Sequence, residues 1–525
     1  MPDEAEKLGM RLLEKGHRGL VRLVFSRTGL VLLLLLLNFA LFFTGFFWFR
    51  EILPGLYVFN AVLSLLLLLC LINSGLDPNA KITWLVLIML MPTFGALLYA
   101  FSLSDWGHRA MSKRWKLVSS ECVTVLEQDK NALDGMRQSD PGSAALAAYV
   151  ASTGCYPAFN NTSVRYFPSG EEKYRALLEK LEKAEKFIFL EYFIVDEGIM
   201  WGNILDILVR KAAQGVDVRL LYDGTCEFLL LPRSYPRQLG DLGIQCRVFS
   251  PVTPFVSTHY NFRDHRKILV IDGQIAFTGG INLADEYINK IKRFGHWKDT
   301  AIMLTGEAVR SFTLMFLQMW HLGDKKYEHS DYVNLPAQAP EDAAGYVLPY
   351  GDSPVDDERV GRQVYLDILN RAESYVHIMT PYLILDTELE NALKYAGKRG
   401  VDVRLILPGI PDKRLPYALA KTHYRSLMES GVKIFEYSPG FIHAKSFVSD
   451  DRRAVVGTIN LDYRSISHHF ECAAYMLDCP CIADIEADFQ ATEKLCSPVT
   501  AESIKREKLW IKIVGVLLKV ISPLM

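Results

Sequence analysis

A spaced set of His, Lys and Asp, with the pattern H-x-K-x4-D, occurs twice in this chain. Its members are His265, Lys267 and Asp272 in the first copy, and His443, Lys445 and Asp450 in the second. An Asn follows each His after 17 residues, at Asn282 and Asn460. Average residue usage gives one such match a chance expectation on the order of a few per cent in a chain of this length. The duplication therefore indicates two copies of one folding unit and limits the chain to folds with an internal repeat.

The spacing within each copy predicts the geometry of the motif. A His and a Lys two residues apart on a β-strand project from the same face of that strand. The apolar run 268–271, directly after Lys267, is typical of a buried strand. Two such strands that meet across a pseudo-twofold axis would bring two His and two Lys to one centre.

The residue types at that centre indicate phosphoryl transfer. One imidazole that titrates near neutral pH suits a nucleophile, and a second suits a general acid and base. The ammonium groups of Lys267 and Lys445 suit the oxygens of a phosphodiester, to which the amides of Asn282 and Asn460 can add hydrogen bonds. A nucleophilic His divides the transfer into two steps through a phosphohistidine. Because the Lys pair supplies the positive charge, this scheme predicts no metal and no cofactor.

Two alternatives concern the Asp and Cys residues. Asp272 and Asp450 are predicted as catalytic members of the motif, although an Asp at a strand end can instead hold the adjoining loop. Cys479-Pro480-Cys481 is too tight for a usual zinc pair and lacks a partner pair. We therefore expect most of the nine Cys to be small core residues.

The two copies resemble the paired HKD motifs of the phospholipase D superfamily. The likeness between them extends beyond the motifs, since 215–220 and 400–405 share the sequence Gly-Val-Asp-Val-Arg-Leu. The resemblance implies an acidic residue that hydrogen-bonds the catalytic His of its own half, and Asp299 and Glu471 match that position. It also implies His265 as the nucleophile and His443 as the general acid and then base. The near symmetry of the two halves leaves that order open.

Hydrophobic segments near the amino terminus predict attachment to a membrane. The run 29–49 is long enough to span a bilayer, and further apolar runs cover about 56–72 and 82–101. We predict two or three spanning helices in a multi-pass protein of the bacterial cytoplasmic membrane, with a buried core hairpin as the alternative. Basic residues on both sides of these segments leave the orientation open, and we favour a cytoplasmic catalytic domain.

The carboxy-terminal segment is also apolar. Within 509–521 the exceptions include Lys512 and Lys519, seven residues apart and therefore on one face of a helix. A basic amphipathic helix suits an anionic membrane surface. A helix that docks on the catalytic core is an equally good interpretation.

These features predict an α/β fold, in which two phospholipase D-like α/β sandwich repeats form one pseudo-twofold catalytic unit preceded by transmembrane helices. The first repeat is expected to contain helix 171–185, strand 186–195, helix 200–213 and strand 216–222. The predicted organisation is a basic tail (1–28), membrane segments (29–102), a connector (103–153), the first repeat (154–335), the second repeat (336–500) and an amphipathic helix (501–525).

Over nearly the whole chain this arrangement resembles the bacterial cardiolipin synthases, although that family commonly has two amino-terminal apolar segments. The segment 77–81 (Asp-Pro-Asn-Ala-Lys) and the motif context 261–267 add to the likeness. The resemblance implies transfer of a phosphatidyl group from one phosphatidylglycerol to another, which yields cardiolipin and glycerol. The lipid bilayer is the implied partner.

Two other functions stay open. A membrane-bound phospholipase D-type phosphodiesterase would use the same site but admit water, and a silent scaffold would keep the fold without the chemistry. Intact His, Lys and Asn in both copies disfavour the scaffold. The net charge of −2, from 58 basic and 60 acidic residues, disfavours a nucleic acid as partner.

Overall fold

The computed structural model describes residues 53–103, 106–251, 262–324, 327, 329–356 and 358–524. The predicted basic tail and the first apolar segment lie outside these residues. The described helices are α1 (Leu53–Ile72), α2 (Pro78–Leu90), α3 (Pro92–Leu103), α4 (Trp106–Cys122), α5 (Lys130–Ser139), α6 (Pro141–Gly154), α7 (Gly170–Leu181), α8 (Ile199–Ala213), α9 (Cys226–Leu229), α10 (Tyr235–Asp241), α11 (Val309–Trp320), α12 (Ser330–Val333), α13 (Val360–Arg371), α14 (Thr387–Lys398), α15 (Arg414–Met428), α16 (Tyr463–His468), α17 (Cys481–Glu493), α18 (Ala501–Arg506) and α19 (Leu509–Ile521).

The strands divide between the two repeats. Those of the first are β1 (Thr162–Phe167), β2 (Phe187–Tyr192), β3 (Asp217–Asp223), β4 (Gln245–Phe249), β5 (Arg263–Asp264), β6 (Lys267–Ile271), β7 (Ile275–Gly279), β8 (His296–Lys298) and β9 (Ala301–Gly306). Those of the second are β10 (Tyr346–Asp352), β11 (Tyr375–Met379), β12 (Leu383–Ile384), β13 (Asp402–Pro408), β14 (Lys433–Tyr437), β15 (Gly440–Ile442), β16 (Ser446–Ser449), β17 (Arg453–Gly457), β18 (Leu461–Asp462), β19 (His469–Leu477) and β20 (Cys496–Pro498).

Each repeat forms a mixed sheet with the same internal order. The first sheet runs β1-β9-β7-β6-β2-β3-β4, and the second runs β10-β19-β17-β16-β11-β13-β14-β20. The strand that follows each HKD His is therefore central in its sheet, between an antiparallel hairpin partner and the first strand of a parallel set. The predicted α/β class, its two repeats and the alternation of α7, β2, α8 and β3 are confirmed.

One apolar core joins the two sheets. It includes Phe189 and Val270 of the first sheet and Phe447 and Val455 of the second, all at most 1% exposed. Helix α11 contributes to the same core, since the ring of Phe316 stacks on that of Phe189 at a centroid distance of 4.6 Å. The all-apolar character of β6 after Lys267 follows from this burial, because both faces of the central strands are covered.

Two short strand pairs connect the repeats across the pseudo-twofold axis. Strand β5 of the first repeat pairs in parallel with the start of β19, and β15 of the second repeat pairs in parallel with β8. Equivalent backbone bonds extend both pairs: His265 N donates to the Phe470 carbonyl at 2.9 Å, and His443 N donates to the Lys298 carbonyl at 2.7 Å. Each HKD His is thereby fixed to a strand of the opposite repeat.

The predicted third apolar segment is not one helix, and that expectation is corrected. It divides into α2 and α3 at Met91–Pro92, because proline lacks the N–H that continues a helix and moves the preceding residue away from helical backbone. Gly95 allows α3 to approach the backbone of α2 at Leu87. Within the described ranges, no helix combines the length and apolar character that crossing a membrane requires.

The carboxy-terminal helix docks on the second repeat, as one of the two interpretations predicted. Gly515 of α19 lies against the backbone of Ala418 in α15, and Leu518 packs beside Leu419. Thr83 of α2 donates a hydrogen bond of 2.6 Å to the carbonyl of Val520, which links this helix to the amino-terminal helices. The outer face stays apolar, with Leu509 and Leu517 exposed.

A buried charged triad distinguishes the first repeat from the second. Glu191, Asp264 and Arg266 are all fully buried, and Arg266 lies 3.9 Å from the Glu191 carboxylate. The guanidinium of Arg266 lies over the rings of Trp115 and Phe470. The equivalent positions of the second repeat carry Met379, Ile442 and Ala444, which are also buried. The same strand geometry therefore accepts an apolar triad.

Arg266→Ala is expected to lower the free energy of unfolding by about 3–5 kcal/mol, because two buried carboxylates then lose their cation. The triple variant Glu191→Met, Asp264→Ile, Arg266→Ala copies the second repeat and is expected to recover most of this loss. Urea unfolding in detergent, followed by tryptophan fluorescence, measures both variants. A triple variant no more stable than Arg266→Ala would contradict the equivalence of the two triads.

Candidate active site

The two HKD motifs come together in one buried centre. His265 and His443 are 6% and 8% exposed, and Lys267 and Lys445 are at most 1% exposed. The pKa of His265 lies well below its ordinary value because of burial first, and then because of Lys267, His469, Lys445 and His443. Lys445 and His443 lower the pKa of His265 because they lie near it. The two motifs, whose His residues are 178 positions apart in the chain, therefore form one site.

The carboxylates that hold the two His side chains are exchanged between the repeats. Glu471 accepts from Nδ1 of His265 at 2.9 Å, and Asp299 accepts from Nδ1 of His443 at 2.7 Å. The expectation that each acid serves the His of its own half is therefore wrong. The cause is the strand exchange: β5 delivers His265 to the strand that carries Glu471, and β15 delivers His443 to the residues beside Asp299.

The two Lys side chains share a local conformation that follows from their strand position. Lys267 Nζ donates to the carbonyl of His265, and Lys445 Nζ donates to the carbonyl of His443. Burial lowers the pKa of Lys267 to about 8 and that of Lys445 to about 7, while Glu471 and Asp299, respectively, oppose the shift. A buried anion would favour the charged form of both groups.

Asp272 and Asp450 lie outside this centre, and their predicted catalytic role is corrected to a structural one. Asp272 accepts from the backbone N–H groups of 185–187, and Asp450 accepts from those of 373–375. Each Asp stands at the far end of its motif strand, about 17 Å along β6 from Lys267 in the first repeat. The carboxylates fasten the turn before β2 or β11, and so hold the central strand pair in register.

The two Asn residues occupy equivalent places but differ in their hydrogen bonds. Asn282 accepts from Ile194 N at 3.0 Å and donates to the Tyr287 hydroxyl at 2.7 Å. Asn460 is 5% exposed, and its Oδ1 has no hydrogen-bond partner among the described atoms. Binding of a substrate phosphate by either amide stays a prediction.

The surroundings of the two His residues break the symmetry. His443 lies among the rings of Tyr287, Trp297 and Phe441, at centroid distances of 5.5, 5.3 and 5.9 Å. His265 instead lies between one aromatic ring, that of Phe193 at 5.0 Å, and the imidazole of His469 at 5.2 Å. His469 stands two residues before Glu471, as Trp297 stands two residues before Asp299.

His469 was missed by motif reasoning, as was Arg464, whose Nε donates to His469 Nε2 at 3.0 Å. The signal that could have found His469 is its spacing: residues two apart on a strand share a face, so the residue two before each acid faces the catalytic centre. His265, His469 and Glu471 also place three potential metal ligands within 4.8 Å of one another. Lys267 and Arg464 beside them disfavour a bound cation.

Comparisons with known proteins agree with this arrangement. The family model described as cardiolipin synthase, PLD-like domain, matches residues 177–320 and 365–492, and that of the phospholipase D-nuclease N-terminal segment matches residues 62–102. A cardiolipin synthase of Geobacillus sp. is 34% identical over 488 residues, which cover 92% of this chain and 97% of that protein. An uncharacterized protein of Streptococcus mutans is 52% identical over 457 residues, 87% of this chain and 99% of its own length.

Among solved structures, a phosphatidylserine synthase of Haemophilus influenzae matches with a TM-score of 0.56 and 15% identity, over 70% of this chain and 97% of that one. This likeness concerns the fold. The chain belongs to the family of cardiolipin synthases with phospholipase D-like domains. It is a phosphatidyltransferase-like enzyme of phospholipid metabolism in the phospholipase D superfamily.

Asp272→Ala is expected to lower the thermal unfolding midpoint while turnover at a permissive temperature stays within a few-fold of the original. The reason is that its hydrogen bonds hold a turn, each contributing on the order of 1–3 kcal/mol. Lys267→Ala is the matched comparison and should abolish turnover without lowering the midpoint. Thermal scans and timed lipid assays on both variants measure the contrast. Loss of turnover in a fully folded Asp272→Ala protein would restore a chemical role for Asp272.

The rate is expected to fall at alkaline pH. As the pH rises through the pKa values of about 7 for Lys445 and about 8 for Lys267, both groups lose the charge with which we expect them to attract a phosphodiester. Because kcat/KM reports the free enzyme, it should decline through this range. The Lys267→Arg, Lys445→Arg variant keeps its charge above pH 9 and should lose this decline in whatever activity remains, since the pKa of Arg is about 12 or higher. An unchanged alkaline decline in that variant would contradict the assignment.

Proposed function

We propose that the protein is a cardiolipin synthase that transfers a phosphatidyl group from one phosphatidylglycerol to another. The observation that carries this proposal is the pair of buried His residues, each held at Nδ1 by a carboxylate, beside two buried Lys residues. A carboxylate at Nδ1 leaves Nε2 for chemistry, and this arrangement sets the tautomer of each imidazole. Two reactive nitrogens at one phosphate site suit attack from one side and proton transfer on the other.

The surroundings of the two carboxylates favour His265 as the nucleophile. Glu471 also accepts from the hydroxyls of Thr458 and Ser465, so its charge is shared among several donors. Asp299 accepts from His443 and from the backbone N–H of Thr300. Although burial opposes it, His443 and Lys445 hold the pKa of Asp299 below its usual value, whereas burial raises that of Glu471.

Asp299 is therefore the stronger acceptor for a charged imidazole. Burial and Lys445 lower the pKa of His443 to about 4 and Asp299 opposes that shift, whereas burial, Lys267 and His469 all lower the pKa of His265. The imidazolium is therefore less disfavoured at His443, which suits a general acid, and a neutral imidazole at His265 suits a nucleophile. The aromatic rings around His443 limit the approach of water to the proton that it transfers.

The first step forms a covalent intermediate. His265 Nε2 attacks the phosphorus of phosphatidylglycerol while the bond from phosphorus to the glycerol headgroup oxygen breaks. His443 gives its Nε2 proton to that oxygen, and glycerol leaves. Lys267 and Lys445 neutralise the phosphoryl oxygens, and the amides of Asn282 and Asn460 are proposed to add hydrogen bonds there.

The second step restores the enzyme. The terminal hydroxyl of a second phosphatidylglycerol gives its proton to His443 and attacks the phosphorus. The bond from phosphorus to His265 breaks, so cardiolipin leaves and both His residues return to their starting states. One phosphodiester replaces another, and the reaction therefore needs no nucleotide as an energy source.

We also propose that the protein acts at the cytoplasmic face of the bacterial membrane. Large apolar side chains are exposed on α1 and α2, at Val58, Leu65 and Leu90, and on α19 at Leu517. A bilayer would cover this surface, and Lys508, Lys512 and Lys519 on or next to α19 would meet anionic headgroups. All nine Cys are unpaired, as in a reducing compartment.

The test is a timed balance of lipid and glycerol in phosphatidylglycerol vesicles with excess chelator. We expect cardiolipin and free glycerol in equal amounts, with phosphatidic acid as a minor product, because a second lipid headgroup is concentrated at the bilayer. Added glycerol should reverse the reaction, and His265→Ala and His443→Ala should each abolish it. Phosphatidic acid as the main product would make the enzyme a phosphodiesterase and overturn the proposal.

A further inference from the structure

The two repeats differ in charge at equivalent positions close to the catalytic centre. Glu286 follows Asn282 of the first repeat by four residues, and Arg464 follows Asn460 of the second repeat by the same number. Glu286 is paired with Arg293 at 3.2 Å. Among the described residues, Arg464 forms no ion pair of this kind, and its side chain is exposed to solvent. The charge asymmetry therefore leaves one surplus cation on the His265 side of the site.

Arg464 is held in place by a buried residue. Its Nε donates to Nε2 of His469, which is 8% exposed, and His469 Nδ1 in turn faces Glu471 Oε1 at 3.5 Å. His469 also lies against the ring of His265. One side chain, that of His469, therefore separates the Arg464 guanidinium from the imidazole of His265, the proposed nucleophile. A long exposed side chain with such an anchor keeps its terminal N–H groups directed at a ligand at low entropic cost.

The carboxylates nearest to Arg464 are already engaged. Asp462 accepts from the backbone N–H of Ser465, and Asp223 accepts from Arg263 and from two backbone N–H groups. Neither therefore supplies the planar pairing that a guanidinium makes with an oxyanion. The terminal N–H groups of the Arg464 guanidinium lie in one plane, and they suit the two non-bridging oxygens of a phosphodiester.

From this placement we infer that Arg464, oriented by His469, binds the phosphodiester of the acceptor lipid. The inference rests on the proposed function and adds a specificity-determining residue, through which an anionic phospholipid alcohol is preferred as acceptor to a neutral polyol. The acceptor phosphate is separated from the attacking hydroxyl by one glycerol unit. An anion site beside the centre, and separate from Lys267 and Lys445, holds that second charge.

The position of α16, which carries Arg464, fits the arrival of a lipid. Tyr463 is hydrogen-bonded to Asn79 of α2, and His468 Nε2 donates to the carbonyl of Pro523 at 3.3 Å. Helix α16 therefore lies between the catalytic centre and the apolar helices α2 and α19. A lipid whose acyl chains lie beside those helices would present its headgroup phosphate next to Arg464.

The experiment compares a charged and a neutral acceptor in the same vesicles. Phosphatidylglycerol vesicles receive radiolabelled glycerol, and both cardiolipin formation and incorporation of label into phosphatidylglycerol are measured. The ratio of the first rate to the second should fall about tenfold or more in Arg464→Gln, because a charge-assisted hydrogen bond to the acceptor is lost. In Arg464→Lys the ratio should lie between those of Arg464→Gln and the original protein, since Lys keeps the positive charge but lacks the planar guanidinium.

Two further variants separate binding from structural effects. His469→Phe removes the anchor and should lower the ratio, whereas His469→Gln offers an acceptor to Arg464 and should restore part of it. Arg293→Gln is the matched control, because Arg293 is an exposed cation paired with the residue equivalent to Arg464; the ratio should not change.

A ratio in folded Arg464→Gln equal to that of the original protein, with both rates unchanged or reduced together, would overturn the acceptor site. If the original protein yields neither cardiolipin nor labelled phosphatidylglycerol, the proposed function fails instead, and the inference fails with it. These results are distinct, since the ratio is defined only for an active transferase.

Discussion

The exchange of two short strand pairs is the constraint on which the catalytic centre depends. Strands β5 and β15 contain two and three residues, yet each places an HKD His beside the carboxylate of the other repeat. Neither repeat contains both the imidazole and the acid that sets its tautomer. The buried core shared by the two sheets therefore serves catalysis as well as stability, because any change in how the sheets pack would separate both pairs at once.

Symmetry sets the geometry of the site, and departures from symmetry give its two halves different chemistry. The backbone bonds at His265 and His443 are equivalent, and so are the bonds from each Lys to the carbonyl of its His. The side chains around them differ, with three aromatic rings at His443 and one aromatic ring beside the titratable His469 at His265. This difference allows the two His residues to take the separate roles of nucleophile and acid that we propose for them.

Much of the site could be predicted from the sequence because its residues are spaced along single strands. The pairing of His265 with Lys267, the central place of β6 and the repeat of the α/β units all follow from local periodicity. The exchange of acids could not be predicted, since it depends on pairs of strands too short to leave a periodic pattern. The prediction of a catalytic role for Asp272 was wrong for a related reason. Its hydrogen-bond partners are backbone N–H groups, which a motif of side chains does not reveal. The break at Pro92 was available in the sequence, but overall hydropathy concealed it.

The exchanged carboxylates also bear on how such a chain can arise. A single repeat with this architecture would have an imidazole whose acid belongs elsewhere, so it could complete a site only by pairing with a second copy through a twofold interface. In such a pair every substitution appears twice, and both imidazoles keep identical neighbours. Joining the two copies in one polypeptide removes that restriction. The difference between Glu286 and Arg464, or between Trp297 and His469, is a change that only the fused chain can carry.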